Sequence, residues 1–228
     1  MRLSFALSLL IGTLFCNAQS KKYWQQKADY KMEVSVDAKN YQYKGKQKLV
    51  YKNNSEDTLR KVYYHLYNNA FQPKSEMDCR LHSIPDPDGR MATKTKDSEG
   101  KEVRESRIAK LNPDEIGYLK ISNFKQDNVS AKTVEKETIL EVTLNKPILP
   151  GKSTSFTLDF DGQVPVQIRR SGRNNSEGVE FSMAQWFPKI AEFDFEGWHA
   201  DSYIAREFHG VWGNFDVKIT IDAAYVLG

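Results

Sequence analysis

Apolar and polar residues alternate with period two along most of this chain. Tyr30, Met32, Val34 and Val36 interleave with Lys31, Glu33, Ser35 and Asp37, as in a strand with one buried face. Beyond Ala38-Lys39-Asn40, a second run through Tyr41, Tyr43, Gly45, Gln47, Leu49 and Tyr51 predicts its hairpin partner. The β-formers from Leu59 to Tyr67, after the turn cluster Asn53 to Asp57, predict a third strand completing a meander. Order returns at Ile116 to Phe124. Leu140, Val142 and Leu144 then face Phe156, Leu158 and Phe160 across the turn Pro147 to Gly151, the clearest predicted hairpin. Phe215, Val217, Ile219 and Ile221 mark a last strand. Past the N-terminal apolar run no helical period is sustained over three turns, so the predicted fold class is all-β.

Two stretches depart from this pattern. Arg2, the apolar run Leu3 to Cys16 and the small Ala18 read as a secretory signal peptide over 1–18, too short to span a bilayer. The expected location is therefore outside the cytoplasm, periplasmic or secreted. Lipid attachment at Cys16 is the alternative, disfavoured by the bulk of Phe15. Near 72–112, prolines, glycines and charges replace the alternation, predicting a charged surface insertion with a hairpin at its tip. The remainder, 19–228, reads as one β-domain.

Composition narrows the function classes. The 33 basic residues are interspersed with 30 acidic ones, giving no concentrated basic face for nucleic acid. No later apolar run is long enough for a membrane span. Once the signal is removed, Cys79 has no internal disulfide partner, so stability must come from packing. Arg169 to Asn175 reads as a solvated basic loop.

Candidate chemistry is sparse. His65, His82, His199 and His209 are isolated along the sequence, although a hairpin could bring His199 and His209 together. No His-Glu-x-x-His or Gly-x-Ser-x-Gly is present, so no metal ligand set and no catalytic residue is assigned to this chain. Cys79 reads as a surface thiol, and Asp194 with Glu196 beside Trp198 is a weak pair of carboxylates for glycoside chemistry. Phe181 to Trp212 holds three of the four tryptophans, six phenylalanines or tyrosines and two histidines. Such aromatic density marks a packed junction or a binding wall.

Within it, Phe181-Ser182-Met183-Ala184-Gln185-Trp186-Phe187-Pro188-Lys189-Ile190-Ala191, then Gly197-Trp198-His199, Glu207-Phe208 and Phe215 to Ile221, resembles the exported bacterial branch of the membrane-alanyl-aminopeptidase family of zinc metallopeptidases. Tyr64 to Phe71 and Gln163-Val164-Pro165 agree with it. The resemblance implies the family's N-terminal domain, a large, mostly antiparallel β saddle, incomplete at its C-terminal end. It implies a thermolysin-like catalytic domain as partner, carrying the zinc, with peptides as substrates that lose their N-terminal residue. Zinc is thus expected in that domain, and no cofactor on this chain. Gln185 is the one site residue the resemblance carries over, as part of the subsite for the substrate's N-terminal residue. The contrasting expectation is a stand-alone exported β-sandwich binding peptide or glycan on an aromatic face.

Overall fold

The computed structural model describes residues 23–83, 89, 91–166, 171–204 and 208–228. The expected signal peptide with Cys16, the turn residues Pro85 to Asp88, Arg169, Arg170 and Glu207 lie outside the described residues.

The fold is all-β. Its strands are β1 Lys27–Asp37, β2 Gln42–Lys52, β3 Leu59–His65, β4 Ala92–Lys96, β5 Glu102–Ser106, β6 Tyr118–Gln126, β7 Val129–Ser130, β8 Lys132–Lys136, β9 Ile139–Ile148, β10 Ser153–Gln163, β11 Gly172–Arg173, β12 Phe181–Ser182, β13 Lys189–Ile190, β14 Phe193–Asp194, β15 Gly197–Trp198 and β16 Phe215–Thr220. A six-stranded sheet runs β16-β1-β2-β10-β6-β7 and a four-stranded sheet β13-β3-β9-β8. Their inner faces share one core: Tyr64 of β3 meets Phe124 of β6 and Phe156 of β10 edge-on, at centroid distances of 5.5 and 6.3 Å.

The predicted alternation holds in β1, β2 and β10, whose residues alternate between buried and more exposed positions, and fails in β16, all six of whose residues are exposed. Two predicted pairings are overturned. β3 does not extend the β1–β2 hairpin as a meander but pairs antiparallel with β9 in the other sheet. β9 and β10 do not form a hairpin either, because β10 pairs with β2 and β6. Each of these strands buries one face, and the turn between β9 and β10 carries the chain from one layer to the other. Asn53 anchors that crossing: its Nδ2 donates to Ile148 O (3.1 Å) and its carbonyl accepts from Gly151 N (2.7 Å).

The insertion contains the predicted hairpin, β4–β5, and also an unpredicted helix, α1 Glu76–Ser83. Ser75 caps it, its Oγ accepting from Asp78 N at 3.1 Å while Asp78 Oδ2 accepts from Lys74 N at 2.7 Å, a variant of the capping box. Met77 and Leu81 of α1 join Tyr67, Phe71, Met91 and Ile108 in a second, smaller core, so the segment is packed at its base. Arg173 departs from the solvated loop expected there: it is buried, lies 3.9 Å over the Tyr41 ring and donates to Asp114 O at 2.6 Å.

Candidate functional site

The aromatic segment lies along the inner-face residues of β1 and β2. Phe187 meets Tyr30 edge-on at 5.5 Å and Trp186 meets Tyr43 at 6.0 Å. Trp198 packs on Tyr51, Tyr63 and Phe193, and Trp24 stacks on Phe193. Polar contacts fix the same alignment. Tyr43 Oη donates to Trp186 O at 2.7 Å, and Tyr30 Oη accepts from Ile190 N at 3.0 Å. Trp186 and Trp198 are therefore partly buried packing residues, whereas Trp212 is 76% exposed and Phe195 74%.

Gln185 stands between these anchors. Its backbone adopts φ +58°, a left-handed conformation unusual for a residue with a Cβ. Its side chain is half-buried, and Oε1 accepts from Lys189 Nζ at 3.4 Å. Burial lowers the Lys189 pKa, with Glu192 pulling the other way.

A short walk along the chain brings together residues that the sequence spaces apart. β14 and β15 form a tight antiparallel ribbon, with Gly197 at φ +104°. Within its turn Asp194 Oδ1 accepts from Glu196 N at 2.8 Å, which leaves Oδ2 2.9 Å from His199 Nε2. That contact lacks the alignment of a hydrogen bond, and among the described residues the buried Nε2 has no hydrogen-bond partner. The His209 ring stacks on His199 at 4.5 Å. Asp194, His199 and His209 each offer one ligand atom, all within 4.8 Å of one another. Isolation of the histidines thus holds along the sequence and fails in space. Asp194 turns to His199 instead of facing Glu196 as a catalytic pair. Burial acts to raise its pKa, but Glu196 N–H and the neighbouring imidazoles hold it lower than usual. Burial, then His199, lowers the pKa of His209.

The other two histidines play different parts. His65 is buried and stacks on Tyr67 at 4.9 Å. Its Nε2–H donates to His199 O at 3.0 Å, which fixes the tautomer because a carbonyl only accepts. Burial pushes its pKa down to about 4, so the ring is neutral near pH 7. His82 sits on α1 with Nε2 3.7 Å from Asp78. Cys79, on the same helix, is exposed as expected of a surface thiol.

No family model matches the sequence, and a search of curated proteins found no match. Solved structures are similar to this chain at low identity. A two-domain M1 zinc metallopeptidase mutant bound to L-arginine has 13% identity and a TM-score of 0.47, over 88% of this chain and 33% of that one. An M1 zinc metallopeptidase from Deinococcus radiodurans has 13% identity and a TM-score of 0.40, over 71% and 26%. A mutant of the enzyme from that organism bound to a Tyr-Ser-Ala substrate has 14% identity and a TM-score of 0.39, again over 71% and 26%. The chain spans between a quarter and a third of the length of the M1 zinc metallopeptidases to which it is similar.

Proposed function

We propose that this chain is the β scaffold and cleft wall of an exported zinc aminopeptidase-like protein, in which a separate thermolysin-like domain holds the zinc and hydrolyses N-terminal residues from peptides. The observation that carries the reading is Gln185, held in a left-handed conformation within Ala184-Gln185-Trp186. A non-glycine residue in that region costs about 1–3 kcal/mol and persists where neighbours over-determine it. Here Trp186 and Phe187 are locked onto Tyr43 and Tyr30, so the bend presents a half-buried amide whose side-chain bond is a long one to Lys189. An amide accepts from a substrate ammonium through its oxygen and donates to a carbonyl through its nitrogen.

The chain's own residues do not fit the family's zinc: the sequence has no His-Glu-x-x-His. Hydrolysis by the 228 residues alone is accordingly not proposed. Their task is to bind and orient. The reading of a stand-alone module with an aromatic binding face loses ground because Trp186 and Trp198 are engaged in the core.

The test compares Gln185→Ala with wild type in the protein joined to its zinc domain, using a chromogenic aminoacyl anilide. Loss of a hydrogen bond to a charged amine, about 1.5–3 kcal/mol, should lower kcat/KM roughly ten- to a hundredfold, mainly through KM, with thermal stability held. An unchanged kcat/KM would sink the assignment, as would zinc-dependent turnover by the 228-residue chain alone. Gln185→Gly, which relieves the backbone, should match or exceed wild-type stability by about 1 kcal/mol while losing the same activity.

A further inference from the structure

The residues Asp194, His199 and His209 have no part in the scaffold role, and their chemistry is that of ligands. Two imidazoles and a carboxylate are an N2O donor set suited to zinc and its neighbours among divalent first-row metals. We propose that Asp194, His199 and His209 form a binding site for a zinc-class divalent cation on the β-scaffold, with a fourth coordination position open to the adjoining cavity.

Four geometric facts carry it. Asp194 Oδ1 is occupied by Glu196 N–H at 2.8 Å, which aims Oδ2 at the site, the second-layer orientation that ligating carboxylates commonly have. His199 Nε2 is buried, 2.9 Å from that oxygen, and makes no aligned hydrogen bond among the described residues. An imidazole nitrogen held beside a carboxylate without an aligned hydrogen bond is poorly satisfied, and a cation bridging the two satisfies both once they part from 2.9 Å to about 3.4 Å. The backbone of His199 is held on both sides: its N–H donates to Glu192 O at 2.9 Å and its carbonyl accepts from His65 Nε2 at 3.0 Å. His209 supplies the adjustable ligand, being exposed on its ring side and tethered by its carbonyl to Tyr67 Oη at 3.4 Å.

The distances are within reach. Tetrahedral ligand atoms about 2.0–2.1 Å from zinc lie about 3.4 Å apart, so a span of at most 4.8 Å closes by rotation of the exposed His209 ring. A cavity of about 180 Å³ lined by His65, His199, Tyr203 and His209 adjoins the group, with space for a water or a small anionic ligand as fourth donor. The charge balance is mixed: Asp194 and Glu192 favour a cation, and Lys189, which acts electrostatically on His209, opposes it. That opposition predicts a site of moderate affinity, strengthened by Lys189→Gln.

The test is calorimetric titration of the metal-free full-length chain with zinc, together with cobalt(II) as a spectroscopic probe. Expected are one equivalent bound per chain and intense visible bands for cobalt from a four-coordinate N2O site. His209→Gln should weaken zinc binding at least about tenfold with an unchanged far-ultraviolet dichroism spectrum, and Asp194→Asn should do the same. His82→Gln should leave binding intact. Absence of stoichiometric zinc binding by wild type would overturn the proposal. So would a His209→Gln affinity equal to wild type in a chain shown to be folded, or weak six-coordinate cobalt bands.

Discussion

Gln47 lies in the middle of β2 with 2% of its surface exposed, and among the described residues neither its Oε1 nor its Nε2 has a hydrogen-bond partner. Its strand neighbours are Met32 and Leu158, so two polar atoms are stranded in an apolar layer. Leaving a buried donor or acceptor unpaired costs about 1–3 kcal/mol. Gln47→Met, of similar volume, should therefore stabilise the chain by about that amount. A rise in the urea midpoint at constant m-value is the expected result, and a fall would show that the amide has a partner in solution. The alternation in the sequence already places position 47 inside. What the sequence does not reveal is that its amide goes unpaired, since that depends on strands from elsewhere in the chain. Of the grouping of Asp194, His199 and His209, the sequence offered the convergence of the two histidines but not Asp194, which the β14–β15 ribbon sets beside His199. The α1 helix was missed although its cap, Ser75-x-x-Asp78, is local, because few apolar residues stand behind it.

At the scale of elements, β2 and β10 are matched through two glycines. Gly45 lies opposite Phe160 and Gly162 opposite Tyr43. In both cases an added Cβ would collide with the facing aromatic ring. Each ring covers the glycine across from it, a reciprocal arrangement that ties the register of the pair. Gly45→Ala should cost about 1–3 kcal/mol by overpacking. In the Phe160→Leu background the penalty should shrink, and a thermal-denaturation double-mutant cycle would expose the coupling. Additive effects would argue against contact between the two sites. Strand existence and inward faces follow from the alternation of such residues. Sheet membership does not, because period two states which face is buried and is silent about the neighbour: β9 and β10 carry flawless hairpin patterns yet belong to different layers. For β16 the same pattern predicted a half-buried strand, whereas all six of its residues are exposed.

The molecule as a whole is held by a core unusually rich in phenols. Tyr30, Tyr43, Tyr51 and Tyr64 are all buried, and burial raises every one of their pKa values. The hydroxyls of Tyr51 and Tyr64 have no hydrogen-bond partner among the described residues. The folded chain resists losing these protons, whereas the unfolded chain loses them near pH 10. Stability is thus unaffected by these groups below about pH 10 and falls as pH rises beyond it, by about 1.4 kcal/mol per tyrosine per pH unit. Alkaline titration should show these phenolate signals appearing together with the loss of far-ultraviolet dichroism. A smooth titration of every tyrosine near pH 10 with dichroism intact would refute it.

The parallel pairing of β16 with β1 joins residues 185 positions apart, as in the bond from Asn214 Nδ2 to Asp29 Oδ1 at 2.8 Å, whereas β1 meets β2 across a turn of a few residues. Loop-closure entropy grows with the logarithm of separation, so docking β16 straight from the unfolded chain costs about 3 kcal/mol more than closing that turn. On this comparison the β1–β2 pair is expected to zip before β16 docks. Throughout that interval the outer rim of β1 is an open template, and the competitor it must avoid is another copy of the same half-folded chain.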